Sequence, residues 1–278
     1  MIKVKNISVD QFKEKFKLKE LNPFSNNIFS AEDIKKIRQD YGIIDVSTKL
    51  KTIPDLISLF IKEPLRIIKS LPKIIKVHFS GIKQFYYSKS HQLKDTYPFS
   101  DYVLKASILG ISKPKKILEI GTARGWGSTA FQLALPDCIC YTMSPKNTRG
   151  ANNELPQAEI GKAFRKKKLP VKQIWSDSYT FDFNSIAKVD ASFIDGNHKY
   201  KWVYSDLVNC NRITKKLIIV DDYIPSANSP RGNVLDWGWW NQETVKAVYD
   251  FLKSNPKGIK EAYWIKNTCI CVLIKNDL

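Results

Sequence analysis

ILEIGTARGWGSTAF, residues 117–131, is the stretch that decides the fold. A short apolar run meets the acidic Glu119, glycines follow at positions 121, 125 and 127, and an apolar helical pattern begins there. A strand, a glycine turn and a helix form the first unit of a doubly wound sheet, whose ligands bind beyond the carboxyl ends of the strands. The spacing is neither the dinucleotide pattern nor a phosphate loop. A carboxylate at the strand end disfavours a pyrophosphate and suits a cationic or polyhydroxylated ligand.

Strand and helix patterns alternate through the rest of the chain. Helical patterns fall near 127–135, 157–168, 199–213 and 241–254. Seven strand candidates flank them, at 115–121, 138–143, 171–175, 190–195, 216–222, 262–266 and 269–274. This alternation predicts an α/β fold with a doubly wound, seven-stranded, mostly parallel sheet. The last two strands are joined by so few residues that they must form an antiparallel hairpin.

The first third of the chain differs in composition from the rest. The whole chain has a formal net charge of +18, a field that favours anionic partners. Residues 1–94 contain 19 basic and 9 acidic residues, and Lys-rich helical patterns occur near 9–20 and 31–41. We expect a basic helical extension over 1–94 and a catalytic domain over 95–278. This extension could cover the active site, or it could make a homo-oligomer.

Residues 54–79 contain a basic amphipathic pattern. Lys62, Arg66, Lys69, Lys73 and Lys76 recur at spacings that place them on one helical face, beside an apolar stripe. Such a helix can lie on an anionic membrane surface, or it can pack its stripe on its own domain. The N-terminus lacks the apolar core of a signal peptide, and no run approaches the length of a membrane span. We therefore expect a cytoplasmic protein, peripheral to a membrane if the first alternative holds.

The five cysteines indicate buried thiols in a reducing compartment. Two pairs are spaced C-x-C within strand candidates, and no CxxC pair suggests zinc or redox chemistry. We expect no disulfide bond in such a compartment.

EIGTARGWGST, followed by QIWSDSYTFDF, FIDGNHKYKWVYSDL and IIVDDY in that order, resembles class I S-adenosylmethionine-dependent methyltransferases. The order is similar to the branch with small-molecule and sugar O-methyltransferases, as in methyltransferase domain family 24. The resemblance covers about residues 110–255, and it implies a Rossmann-like methyltransferase fold with S-adenosylmethionine as cofactor. It implies cofactor-binding roles for Glu119, Gly121, Ala123, Gly125, Ser128, Thr129, Ser144, Asp177, Ser178 and Asp195.

Within that set, the resemblance divides the cofactor into parts. The residues from Glu119 to Gly125 would line its methionine portion, and Ser128 and Thr129 would begin the helix beneath it, whose N-terminus favours the cofactor carboxylate. Asp177 and Ser178 would lie beside the adenine. Relatives usually have an acid at the end of the second strand, which binds the ribose hydroxyls, whereas this chain has Ser144. A serine can make one such hydrogen bond but not a charge-assisted pair.

Three carboxylates end two neighbouring strands of the predicted sheet. Asp195 closes the fourth strand, and Asp221 and Asp222 close the fifth. Three hard oxygen ligands suit Mg²⁺, Mn²⁺ or Ca²⁺ rather than zinc, and we predict a divalent cation, Mg²⁺ first. In metal-dependent relatives this cation binds two hydroxyl oxygens of the acceptor. The alternative is that Asp195 and Asp222 cap helices or loops.

His198 is the candidate proton acceptor. Relatives often read IDGDH where this chain reads IDGNH, so Asn197 replaces a candidate base and His198 remains. Its alternative role is to orient the loop, and water could serve if a cation lowers the hydroxyl pKa. Residues 224–242 predict a long loop that walls the acceptor, with Trp237, Trp239, Trp240 and Arg231 as candidate contacts. These tryptophans either stack on the acceptor or anchor the loop to the core.

These features favour metal-assisted O-methylation of a sugar or other hydroxylated small molecule. One alternative is an RNA methyltransferase, which the charge supports. No RNA-binding module pattern is visible, so nucleic acid is not the expected partner. The other alternative is a catalytically degenerate binding protein on the same fold, which Ser144 and Asn197 would explain.

Overall fold

The computed structural model describes residues 2–17, 30, 32–33, 36, 99–149, 154–225, 238–266 and 268–275. Its helices are α1 Val9–Lys15, α2 Phe99–Ile111, α3 Trp126–Ala134, α4 Lys162–Lys166, α5 Tyr200–Ile213 and α6 Gly238–Lys253. Its strands are β1 Val4–Ile7, β2 Lys116–Ile120, β3 Ile139–Ser144, β4 Thr148–Arg149, β5 Glu154–Leu155, β6 Lys172–Trp175, β7 Val189–Ile194, β8 Thr214–Val220, β9 Glu261–Ile265 and β10 Cys271–Ile274.

All seven predicted strands are present in one sheet. The spatial order is β6-β3-β2-β7-β8-β10-β9-β1. Every neighbouring pair is parallel except those of β10, which runs antiparallel to both β8 and β9. The predicted doubly wound α/β fold with a C-terminal antiparallel hairpin is therefore confirmed. The link of the hairpin is longer than the sequence indicated, because β9 ends at Ile265 and β10 begins only at Cys271.

An eighth strand lies where a helical extension was expected. β1 pairs in parallel with β9, with Val4 opposite Ala262 and Ile7 opposite Ile265. The helix α1 follows, within the predicted helical pattern, and its buried Phe12 contacts the Tyr263 ring edge-on at 5.9 Å. Residues 2–17 are thus part of the sheet and its cover. Alternation in IKVKNI was too short to separate a strand from a charged helix start.

Most of the predicted N-terminal extension lies outside the described residues. That includes the amphipathic pattern at 54–79, and the division at residue 95 stays a prediction. The described residues contain no helix with the length and apolar character needed to cross a membrane. All five cysteines are free and buried, as predicted.

The sheet brings the ends of its strands to one edge. The first residue after each strand continues the ladder: Gly121 N donates to Met143 O at 2.9 Å, Asp195 N to Ile120 O at 2.8 Å, and Asp221 N to Ile194 O at 2.9 Å. The predicted neighbours β7 and β8 are indeed paired. Apolar side chains pack both faces of the sheet, so polar groups at this carboxyl edge lie above a dry core.

Candidate active site

Glu119 is buried beneath the glycine turn rather than open to a ligand. Its carboxylate is 2% exposed, and it accepts hydrogen bonds from the Ser128 hydroxyl and from Thr142 Oγ1, the latter at 2.5 Å. Burial raises the pKa of Glu119 to about 7, against the opposing effect of these hydroxyls. Ser128 is fully buried, so it binds Glu119 and does not face the edge. The carboxylate in the opening stretch therefore joins β2, β3 and α3.

The three glycines of the turn make room for the protein's own atoms. A Cβ on Gly121 would lie 1.9 Å from the Asp195 carbonyl oxygen, and one on Gly127 would lie 2.2 Å from Glu119 Oε1. A Cβ on Gly125 would meet the Phe164 ring of α4 at 2.7 Å. These contacts explain the glycines without a ligand that approaches their backbone. Thr129 is also buried, and its hydroxyl donates to the Gly125 carbonyl at 2.6 Å.

One part of the turn is open at the carboxyl edge. Ala123 is exposed in a left-handed conformation, with φ of +41°. Gly161 N donates to its carbonyl oxygen at 2.9 Å, so the segment before α4 holds the turn in place. Strained non-glycine backbone of this kind is found often at ligand sites. Of the predicted methionine-lining residues, Ala123 and the half-buried Gly121 can face a ligand.

Ser144 offers an unused polar atom at the end of β3. The residue is 4% exposed, and its Oγ has no hydrogen-bond partner among the described residues. A buried hydroxyl without a partner costs about 1–3 kcal/mol, so its partner is expected from a ligand or water. Asp177 and Ser178 lie next along the same edge, after β6, and Ser176 N donates to Ser144 O at 3.1 Å. The structure thus brings the predicted ribose and adenine positions together.

Asp206 is a buried carboxylate that the sequence did not single out. It lies on α5, is fully buried, and neither of its oxygens has a hydrogen-bond partner among the described residues. Burial raises the pKa of Asp206 to about 7, and the nearby Ser178 hydroxyl opposes this without meeting hydrogen-bond geometry. A Cβ on Gly196 would lie 3.8 Å from Asp206 Oδ2, so the carboxyl group lies under the turn that follows β7.

We expect Asp206→Asn to flatten the pH dependence of stability. An acid whose pKa is raised on folding binds more protons in the folded state, so stability falls as pH rises from about 4 to about 7. In the variant, the free energy of unfolding should therefore change by about 2–4 kcal/mol less than in the wild type over that pH range. Urea unfolding at pH 5 and pH 8 measures the slope, with the exposed Asp137→Asn as the charge-matched control. An unchanged slope in Asp206→Asn would contradict the assignment.

The three predicted metal carboxylates do not share one environment. Asp221 is 7% exposed and pairs with Lys105, whose Nζ lies 2.5 Å from Asp221 Oδ2. Its other oxygen accepts from Cys269 Sγ at 3.0 Å. Burial opposes ionisation of Asp221, but the ammonium of Lys105 outweighs it and holds the pKa below its usual range. Both oxygens of Asp221 are therefore occupied by the protein's own donors.

Asp195, His198 and Asp222 form a second group at the same edge. His198 Nε2 lies 3.4 Å from Asp222 Oδ2, and both side chains are partly exposed. One ligand atom from each of the three residues lies within 4.8 Å of the other two. Burial and the charge of Asp221 raise the pKa of Asp195 well above its usual range. Asp222 adopts a left-handed conformation, with φ of +53°.

Lys105 is the functional residue that sequence reasoning missed. It is 2% exposed on α2, and its ammonium lies over the rings of Tyr102 at 5.4 Å and Phe193 at 5.3 Å. The signal was present: a single lysine in the apolar run YVLKASILG. A lysine is almost never fully buried unless it is paired. That position therefore pointed to an acidic partner elsewhere in the chain.

Most of the predicted acceptor wall falls outside the described residues. Trp237 and Arg231 lie outside them, and so do the side chains of Trp239 and Trp240. Tyr223, which follows Asp222 in the sequence, is buried, and its N–H donates to Cys269 O at 2.9 Å. The contacts of the acceptor thus stay predictions.

Solved methyltransferases are similar in structure to this chain. No protein-family model matches the sequence, and a search of curated proteins finds no match. A methyltransferase from Podospora anserina, bound to S-adenosylhomocysteine, is 19% identical, with 71% of this chain and 88% of that chain covered and a TM-score of 0.47. An O-methyltransferase from Bacillus cereus, in complex with the same product, is 16% identical, with 69% and 88% covered and a TM-score of 0.46. The strand order, the antiparallel β10 and the glycine turn after β2 agree with the Rossmann-like methyltransferase fold that the sequence resemblance implied.

Proposed function

We propose that the protein is an S-adenosylmethionine-dependent O-methyltransferase that acts on a sugar or other hydroxylated small molecule. The observation that carries this proposal is the carboxyl edge itself. There an open turn, an unpartnered buried hydroxyl and a group of two carboxylates and an imidazole lie at the ends of adjacent strands. The methyl–sulfur bond of the cofactor would break as the methyl–oxygen bond of the acceptor forms, and the acceptor hydroxyl would lose its proton.

The fit of the cofactor is supported by Ser144 and by the exposed Ala123 in the turn. The buried Ser144 Oγ can bind one ribose hydroxyl, which would satisfy it. The exposed Ala123 backbone can lie against the methionine portion. S-adenosylmethionine supplies the activated methyl group when it is bound. The positions of Asp177 and Ser178, after β6, suit the adenine end.

His198 can assist deprotonation of the acceptor in one of two ways. Asp222 can hold Nε2–H, which leaves Nδ1 to take the hydroxyl proton as a general base. Alternatively a ring nitrogen of His198 can bind a divalent cation together with Asp195 and Asp222. A neutral imidazole has one acceptor nitrogen, so these roles exclude each other. In the second case the proton leaves to water.

The metal-assisted form of the proposal requires a changed ligand set. Asp195 and Asp222 fit a cation, whereas Asp221 is held by Lys105 and Cys269. A divalent cation at this edge would lower the pKa of the acceptor hydroxyl and balance the charge on its oxygen. Asp195, relieved of part of its repulsion by that charge, would bind in its ionised form.

Titration calorimetry with S-adenosylmethionine tests the proposal first. We expect binding by the full chain, and we expect Ser144→Ala to weaken it about 2- to 10-fold, the value of one hydrogen bond. Ser185→Ala, which removes an exposed hydroxyl before β7, is the matched control and should bind as the wild type does. No heat of binding up to millimolar cofactor would reject the enzyme and leave the degenerate binding protein.

Methyl transfer then tests the acceptor class. Radiolabelled S-adenosylmethionine is supplied with 3,4-dihydroxybenzoate, a panel of methyl glycosides or total RNA, each with Mn²⁺ and then with EDTA. Label on a hydroxylated small molecule supports the proposal, and its loss in EDTA supports the metal-assisted form. Label on RNA and none on the hydroxylated probes would contradict the small-molecule assignment.

A further inference from the structure

We propose that Lys105 keeps Asp221 out of the cation's ligand set, so that His198 takes its place and the ion binds between Asp195, His198 and Asp222. This inference rests on the proposed function. It departs from the three-aspartate site that the sequence indicated. It also changes the metal, because a set with an imidazole favours borderline ions such as Fe²⁺ or Co²⁺ over Mg²⁺, with Mn²⁺ expected to bind the same set more weakly.

The first step is the occupation of Asp221. An ammonium lies 2.5 Å from one oxygen and a thiol sulfur 3.0 Å from the other. The ion pair is almost completely buried, with side chains 3% and 8% exposed. A cation that recruited Asp221 would have to displace Lys105 into the apolar helix packing around it. An unpaired buried charge costs several kcal/mol, so this displacement is strongly opposed.

The second step is the fixed position of Lys105. Its stem leaves α2 between Leu104 and Ala106, and its ammonium lies over the Phe193 ring of β7. Two aromatic faces and a carboxylate therefore define one place for the charge. That charge also acts on the buried Glu119, where it lowers the pKa against the effect of burial. The ammonium of Lys105 thus lies on the inner side of the edge.

The third step is the geometry of the remaining donors. Asp195, His198 and Asp222 approach within 4.8 Å of one another, and all three are partly open to solvent. Two carboxylates and one imidazole leave about three positions free on a six-coordinate ion, enough for two acceptor oxygens and a water. The inner, dry side of the edge holds the lysine charge, and the outer, wet side holds the exchangeable ion.

The test measures Mn²⁺ and Co²⁺ binding to the full chain without cofactor or acceptor. The paired variant Lys105→Met with Asp221→Asn removes both charges together, so that neither is left unpaired. We expect this variant to bind Mn²⁺ within about threefold of the wild type. We expect His198→Gln to weaken Mn²⁺ binding about tenfold or more and to remove the nitrogen coupling seen by pulsed electron paramagnetic resonance. Asp222→Asn, a ligand under either set, is the positive control.

Three results would overturn the inference. The first is a loss of tenfold or more in the paired variant, since Asp221 would then be a ligand. The second is an absence of nitrogen coupling in the wild type. The third is no binding of Mn²⁺ or Co²⁺ up to millimolar ion. None of these depends on turnover, so methyl transfer without ion binding would reject this ligand set while leaving the proposed methyltransferase intact.

Discussion

Gly121→Ala should abolish stable folding or cost about 4 kcal/mol or more of unfolding free energy. The residue has φ of +100°, which residues other than glycine rarely adopt, and the added methyl would lie 1.9 Å from the Asp195 carbonyl oxygen. That oxygen belongs to the backbone of the turn after β7, so relief requires β2 and β7 to separate at their ends. The same movement would displace Asp195 and Ala123, and we expect any folded fraction to bind S-adenosylmethionine poorly.

Urea unfolding of Gly121→Ala beside Gly110→Ala measures this effect. Gly110 lies in α2, and a methyl there would meet only the Leu135 side chain, at the ordinary distance of 3.5 Å. Alanine also favours a helix, so Gly110→Ala should be neutral or slightly stabilising. Equal stability of the two variants would show that the close approach of β2 to the β7 turn is not what the glycine serves.

Lys105→Met should cost about 3–5 kcal/mol, the usual effect of removing one partner of a buried ion pair. Methionine matches the length of the lysine stem and can fill the space between Tyr102 and Phe193. The loss therefore comes from leaving the Asp221 carboxylate buried beside Asp195 without its counter-charge. Adding Asp221→Asn should return most of that stability, because removal of both charges leaves little uncompensated.

The exposed pair Lys246–Asp250 provides the control. Its N–O distance is also 2.5 Å, but its lysine is 65% exposed against 3% for Lys105. Lys246→Met should cost less than about 1 kcal/mol, since water screens an exposed pair. Equal costs at Lys105 and Lys246 in chemical unfolding would mean that burial does not set the strength of the first pair.

The fold could be predicted because its signal is local. Each strand candidate has its own apolar run, and the glycine turn after Ile120 marks where the first one ends. Since parallel strands end at the same edge, the placement of Asp195 near Asp221 followed from the order of elements alone. The resemblance added the cofactor, and the five free cysteines agree with the expectation of buried thiols.

What could not be predicted depends on contacts between distant segments. Lys105 and Asp221 lie 116 positions apart, and the sequence around either residue does not indicate which residue is its partner. The resemblance led us to expect that Glu119 faces the cofactor. The alternation of a strand does not say whether the next helix covers a polar residue at its end. Ser128 and Thr142 cover it. The role of β1 was missed for the same reason, since its partner β9 lies near the other end of the chain.

The pairing of β1 with β9 has a consequence for how the chain is made. Val4 lies opposite Ala262, so β1 can pair only after the distant β9 has been synthesised. Bringing together residues so far apart in sequence slows folding. Until then the edge of β9 has no neighbour, and exposed edges invite pairing with other chains. Once in place, β1 covers that edge of β9, with Lys3 and Lys5 beside it, so a segment made well before β9 protects β9 from other chains.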